Sequence, residues 1–274
     1  MDFLTLAVLI SVGAMAGTLA GLMGIGGGIL YVPALIYLLE RAQLAGDEIP
    51  LVAVSTSLLV IFFSILNAAW HHFKAGNLSL GPLPGMALGG LVGAWLAAWG
   101  LSGVHADPFK ILLGLFEIAI GLKLILSRSP QPRGEEERDL GLLRYGAIGF
   151  FGGFLSAFFG VGGGLVVMPL LHFWGHFRIA KAIGTASGFM IVATLFSLTA
   201  YAIQGSSAVE LEGLWLSFYL PGFFALLPTA FIFNGFGAKL ADRLDGKRLA
   251  RLFGYFVLPL GLLNLANGGL SWLA

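Results

Sequence analysis

Two runs of glycine are the residues of this sequence best fitted to hold a ligand without any charged side chain. Gly24-Ile25-Gly26-Gly27-Gly28 is followed by Pro33, and Gly160-Val161-Gly162-Gly163-Gly164 by Pro169 at the same interval. Glycine leaves no Cβ between backbone N–H groups and a ligand. A helix that starts there presents several unpaired N–H donors and about half a positive charge at its N-terminus, which is an anion site. Gly26, Gly27, Gly28, Gly162, Gly163 and Gly164 are therefore expected to bind substrate. Hydroxyl donors suited to an oxyanion stand on the following apolar segments: Ser55, Thr56 and Ser57 in one, Thr185 and Ser187 in the other. Asn67 lies eleven residues after Thr56, about three helical turns, so the two share a face that can line a path. The competing roles are ordinary ones: small residues let helices approach closely, and serine or threonine bonds back to its own helix.

Glu117 sits midway along the apolar run 109–126, where an ionisable group is expensive and marks function by default. It is the candidate to carry a coupling proton, the alternative being a buried carboxyl bonded to a neighbour such as Lys123. No cysteine occurs among the 274 residues, so thiolate metal sites and thiol catalysis are excluded. His172 and His176 have helical spacing but no carboxylate beside them, and the HExxH pattern is absent. No metal, cofactor or catalytic residue is expected.

The elements that must position these residues are membrane segments. The chain is 58% hydrophobic and 11% charged, against about half apolar and a quarter charged in a soluble domain. A net charge of +1 gives nucleic acid no electrostatic footing. Apolar runs that approach or reach the roughly 20 residues of a spanning helix cover 3–22, 51–73, 80–101, 109–126, 143–159, 182–203, 211–233 and 252–273. Two shorter runs, 29–39 and 165–174, follow the glycine clusters.

Between the sets lies a polar stretch, Ser127 to Arg144, with Pro130, Pro132, Glu135 to Glu137 and four arginines, the composition of a solvated linker. It divides the chain into a first membrane repeat, 1–127, a cytoplasmic linker, 128–142, and a second repeat, 143–274. Ala53 and Thr56 match Ala182 and Thr185, Leu83-Pro84-Gly85 matches Leu220-Pro221-Gly222, and Gly121-Leu122 matches Gly261-Leu262. Several landmarks recurring in order indicate an internal repeat.

Basic residues favour cytoplasmic loops, and an outward N-terminus places all but Arg41 and Lys110 of the 15 inside. Both termini are then outside and the halves are inverted. The expected fold is all-α, with four spanning helices and one short glycine-broken helix per half; the alternative is that the first two segments of each half form a hairpin that enters the membrane and returns. Each cluster is expected to run extended to the midplane, the short helix following near residues 32–39 with Pro33 in its first turn, so that two N-termini point at each other across a pseudo-two-fold axis. Residues 238–244 are expected to lie along the cytoplasmic surface.

With these motifs the sequence resembles the TauE/SafE sulfite exporter family, also called the toluene sulfonate uptake permeases. The resemblance rests on Gly21-Leu22-Met23-Gly24-Ile25-Gly26-Gly27-Gly28 with Pro33, and on Ser156-Ala157-Phe158-Phe159-Gly160-Val161-Gly162-Gly163-Gly164 with Pro169. It implies a multi-pass transporter of the cell (inner) membrane that moves sulfite, an organosulfonate or a similar small anion, coupled to a proton or sodium gradient. Many members end the fourth helix of each half in a basic surface segment; Lys239 and Arg243 keep it in the second half, whereas Trp95 and Trp99 stand in the first. Two other functions compete. An anion channel needs the same site with an open path. An intramembrane serine protease is the third, because Gly184-Thr185-Ala186-Ser187-Gly188 resembles the rhomboid serine motif, but no histidine follows His176 to act as base.

Overall fold

The computed structural model describes residues 3–43, 47–126, 137–205, 212–240 and 246–273. Among these residues five helices lie before residue 127: α1 (Phe3–Met23), α2 (Gly28–Arg41), α3 (Ile49–Lys74), α4 (Leu83–Leu101) and α5 (Ala106–Leu126). Five follow: α6 (Gly141–Phe159), α7 (Gly164–Gly175), α8 (Ile179–Gln204), α9 (Leu220–Leu240) and α10 (Gly246–Leu273). The all-α class is as expected. Of the stretch expected along the surface, residues 238–240 form the end of α9. Residues 241–245, Arg243 included, lie outside the described residues, as do 127–136 of the linker.

Among the described residues six helices, α1, α3, α4, α6, α8 and α9, are long and apolar enough to cross a membrane. Leucine, phenylalanine and tryptophan side chains are exposed along them, among them Leu88, Leu96, Trp99, Phe224, Ile232 and Phe236. So much uncovered apolar surface suits acyl chains rather than water. α5 has 21 residues but carries Asp107, Lys110, Glu117 and Lys123.

Helix pairs form where glycine removes the side chain, since lipid supplies no hydrophobic drive between helices and close packing must hold them. A Cβ on Gly13, Gly17 or Gly21 of α1 would strike Leu226, Ala230 or Asn234 of α9, so these helices run parallel. α4 and α6 repeat the arrangement: Gly89 meets Gly146 and Gly93 meets Phe150, again parallel. α5 and α10 run antiparallel, with Gly114 against Gly261 and Gly121 against Gly254. The first helix of the chain thus packs on the ninth, and the sixth on the fourth.

The span expected from residue 211 begins later. Leu214–Trp215 (β1) and Phe218–Tyr219 (β2) form a two-residue antiparallel hairpin, and α9 starts at Leu220. Gly213 and Leu216 both take positive φ, which turns the chain where hydropathy alone predicts continuous helix.

Candidate functional site

Each glycine run is a tight reversal, and the expectation of an extended run is corrected. Gly24, Gly26 and Gly27 have φ of 64°, 87° and 78°, and Gly160, Gly162 and Gly163 have 67°, 82° and 78°. These left-handed angles favour glycine and fold the chain back. A Cβ on Gly27 would lie 3.0 Å from the Ala16 carbonyl oxygen, and one on Gly163 2.5 Å from that of Gly152. Each short helix therefore starts beside the body of the helix before it. Gly27 and Gly163 are the N-caps, so α2 and α7 begin at Gly28 and Gly164. Pro33 and Pro169 then occupy the sixth helical position rather than the first turn, where each forfeits a bond to the carbonyl four residues earlier. At 14 and 12 residues, the helices are about 21 and 18 Å long, short of a roughly 30 Å core.

The two reversals pack on each other backbone to backbone and antiparallel. A Cβ on Gly28 would lie 1.9 Å from the Gly160 oxygen, one on Gly26 2.6 Å from the Val161 oxygen, and one on Gly164 2.0 Å from the Gly24 oxygen. All of these glycines are buried. Close packing is thus one role of both clusters.

The hydroxyls named in the sequence tie the interior together. Ser57 Oγ donates to the Gly160 carbonyl at 2.8 Å, and Ser187 Oγ to Ile183 of its own helix at 2.9 Å. Ser55 Oγ donates to the Ser217 carbonyl at 2.5 Å. Thr56 Oγ1 accepts the Tyr219 N–H at 2.9 Å, and Thr185 Oγ1 accepts the Ser79 N–H at 3.0 Å. The matched threonines therefore do the same work at opposite ends of the bundle: each holds the loop that leads into a fourth helix. The hairpin 212–219 is held further by Ser217 Oγ on the Tyr201 carbonyl, 3.2 Å, and the loop after α3 by Asn77 N–H on the His72 carbonyl, 2.9 Å. Asn67 donates to the Phe231 carbonyl at 3.2 Å and lies against Gly235. Its face of α3 is packed on α9.

Two residues that the sequence reading passed over stand at the capping glycines. The hydroxyls of Tyr31 and Ser156 are buried and have no hydrogen-bond partner, a condition that costs about 1–3 kcal/mol each unless something fills it. A Cβ on Gly27 would lie 3.0 Å from the Tyr31 hydroxyl oxygen, and one on Gly163 3.4 Å from Ser156 Cβ. Their sequence signal is position alone: Tyr31 is four residues after Gly27, and Ser156 four before Gly160. Among the described residues the buried groups able to carry positive charge are His72 and Lys110, neither of them on the glycine reversals. The positive potential there comes from the helix N-termini.

Glu117 stands apart, within the α5 and α10 interface, where a Cβ on Gly261 would be 2.9 Å from its own Cβ. It is fully buried. Asn264 Nδ2 donates to its Oε2 at 2.8 Å, so its partner is Asn264 rather than Lys123. Near the start of α5, Lys110 forms an ion pair with Glu40 of α2 and lies 3.4 Å from Asp107. A cavity of about 250 Å³ runs between α1, α2, α5 and α10, lined by apolar side chains and by Glu40, Lys110, Asn264 and Asn267.

Comparison with known proteins agrees with a membrane protein. The chain is 28% identical over 290 residues to Probable membrane transporter protein YunE of Bacillus subtilis, covering 98% of this chain and 99% of that one. A Probable membrane transporter protein of Haemophilus influenzae is 25% identical over 92% of this chain and 94% of its own length. Probable membrane transporter protein MJ0441 of Methanocaldococcus jannaschii is 28% identical over 72% of this chain and 73% of its own. The family profile described as Sulfite exporter TauE/SafE matches residues 9–263. With that profile spanning nearly its whole length, this multi-pass membrane protein belongs to the TauE/SafE family of membrane transporters.

Proposed function

We propose that the chain is a secondary transporter, not an enzyme, that moves a small oxyanion by alternating access. In this reading residues 1–127 and 143–274 are inverted repeats joined by a cytoplasmic linker, both termini lie outside, and α5 and α10 also span. The matched contacts support it: α1 on α9 mirrors α6 on α4, and the glycine reversals and the α5–α10 pair each meet their own counterpart. Transporter sites of this kind lie between such repeats, at broken-helix N-termini.

The observation that carries the reading is the pair of buried, unpartnered hydroxyls, Tyr31 Oη and Ser156 Oγ, beside the two capping glycines. An oxyanion is the ligand that would accept from both a bare helix N-terminus and a spare hydroxyl. Two N-termini of about half a charge each balance one negative charge, so the substrate class is a monoanion: hydrogensulfite, an organosulfonate or a short carboxylate. The glycine reversals close on each other through direct backbone contact, which favours an occluding carrier over an open channel.

The test is thermal-shift screening of purified protein against sulfite, sulfate, sulfonates and short carboxylates, because a ligand that binds only the folded form raises Tm. At least one monoanion should raise Tm, and Tyr31→Phe combined with Ser156→Ala should remove that rise while leaving unliganded Tm unchanged or higher. The oxyanion assignment fails if no anion shifts Tm; the placement of its site fails if the double variant responds like wild type.

A further inference from the structure

We propose that Glu117 and Asn264 form a proton-binding pair reached through the cavity between α1, α2, α5 and α10, and that this pair sets the coupling of the transporter. The inference rests on the transport reading above, and adds the ion, its partner residue and its route.

Three observations carry it. First, the carboxyl is fully buried with Oε2 bonded to Asn264 Nδ2 at 2.8 Å and Oε1 without a partner. Second, that partner is an amide. A lysine or arginine at the position of Asn264 would hold the carboxylate charged, and an aliphatic side chain would hold it neutral. Asparagine offers both a donor and an acceptor. With the carboxylate, its Nδ2–H donates to Oε2. When Oε2 takes up a proton from water, the amide turns half a rotation about its last bond, and Oδ1 accepts from the new O–H. Both states are then satisfied, with nothing consumed but the proton.

Third, Asn264 is also on the wall of the 250 Å³ cavity, so the side chain that holds Glu117 is the one the cavity reaches. That volume has room for several waters at about 30 Å³ each. Asn267, Lys110 and Glu40 supply polar partners along the way to the end of α2.

Besides Glu117, the charged or titratable groups on α5 are Asp107, Lys110 and Lys123; α2 contributes Tyr31, Tyr37, Glu40 and Arg41, α10 Lys247, Arg248, Arg251 and Tyr255, and the packed α3 His71, His72 and Lys74, with Glu48 at its N-cap. Among the described residues only Asn264 hydrogen-bonds the carboxyl. A metal cation gathers several oxygen ligands. One carboxyl and one amide are too few for sodium and sufficient for a proton.

The test has two arms. In the first, pH-dependent infrared difference spectra are recorded on purified protein in liposomes, with no substrate present. Wild type should show a carboxylic C=O band that is lost as pH rises, and Glu117→Gln should lack it. Asn264→Leu should hold that band at pH values where wild type has released the proton. In the second arm, labelled sulfite is followed in proteoliposomes with and without a pH gradient. Glu117→Gln should lose at least tenfold in gradient-driven uptake, and its sulfite exchange without a gradient should no longer vary with pH. A band that persists in Glu117→Gln, or no titrating band in wild type, overturns the site. Gradient-driven uptake that survives Glu117→Gln overturns its coupling role. If wild type exchanges no sulfite, that choice of anion has failed, and the infrared arm still decides on the proton site.

Discussion

Replacing Thr56 by valine keeps the shape of the side chain and removes one atom with one task, the oxygen that accepts the Tyr219 N–H at 2.9 Å. Tyr219 is nearly buried at 8% exposure, so the freed N–H loses its partner without gaining water. Leaving such a group unmet costs about 1–3 kcal/mol. The cost falls on the closed hairpin alone and is relieved when residues 212–219 lift into solvent. The open fraction of that face should therefore rise roughly 5- to 150-fold. The chain has no cysteine, so Ser217→Cys, at a fully buried position of the hairpin, supplies a single reporter. Labelling of that thiol by a membrane-impermeant maleimide should accelerate by this factor in the Thr56→Val background. Thr185→Val frees the Ser79 N–H at the opposite end and should leave Ser217→Cys labelling at or below its starting rate. Equal labelling with and without Thr56→Val, or acceleration by Thr185→Val as large as by Thr56→Val, would refute the idea that these threonines latch opposite faces.

Gly28→Ala would place a methyl 1.9 Å from the Gly160 oxygen, an overpacking against backbone that costs about 3 kcal/mol or more; purified protein should melt lower or fail to fold. Gly81→Ala meets nothing within 4 Å and should stay within about 0.5 kcal/mol of wild type. Sulfate, a dianion at neutral pH, should raise Tm less than a monovalent sulfonate at equal concentration, since the two N-termini together offer about one positive charge; a larger rise with sulfate would reject the monoanion assignment.

Residue type and order in the sequence revealed the helices and the paired glycine runs, because hydropathy and glycine position are local properties. They revealed the threonines as a matched pair but not the loops they hold. Thr56 and Thr185 were expected to donate to a ligand, and each also accepts from a loop more than a hundred residues away in the chain. The hairpin at 214–219 was hidden because Leu214, Trp215, Leu216, Phe218 and Tyr219 are as apolar as a spanning helix. The roles of Tyr31, Ser156 and Asn264 were not readable at all. A hydroxyl without a partner, or an amide that meets a carboxyl, is defined by neighbours distant in sequence.

The exchange of partners between the halves also bears on how the molecule is made. Gly17 finds its seat on Ala230 only after 213 further residues have been synthesised, and until then the grooved side of α1 faces lipid or the insertion machinery. α4 and α6 meet far sooner, across the linker. The ribosome therefore delivers one of the two mirrored joints early and the other late, and a chain cut short after the linker would leave its leading helix without α9.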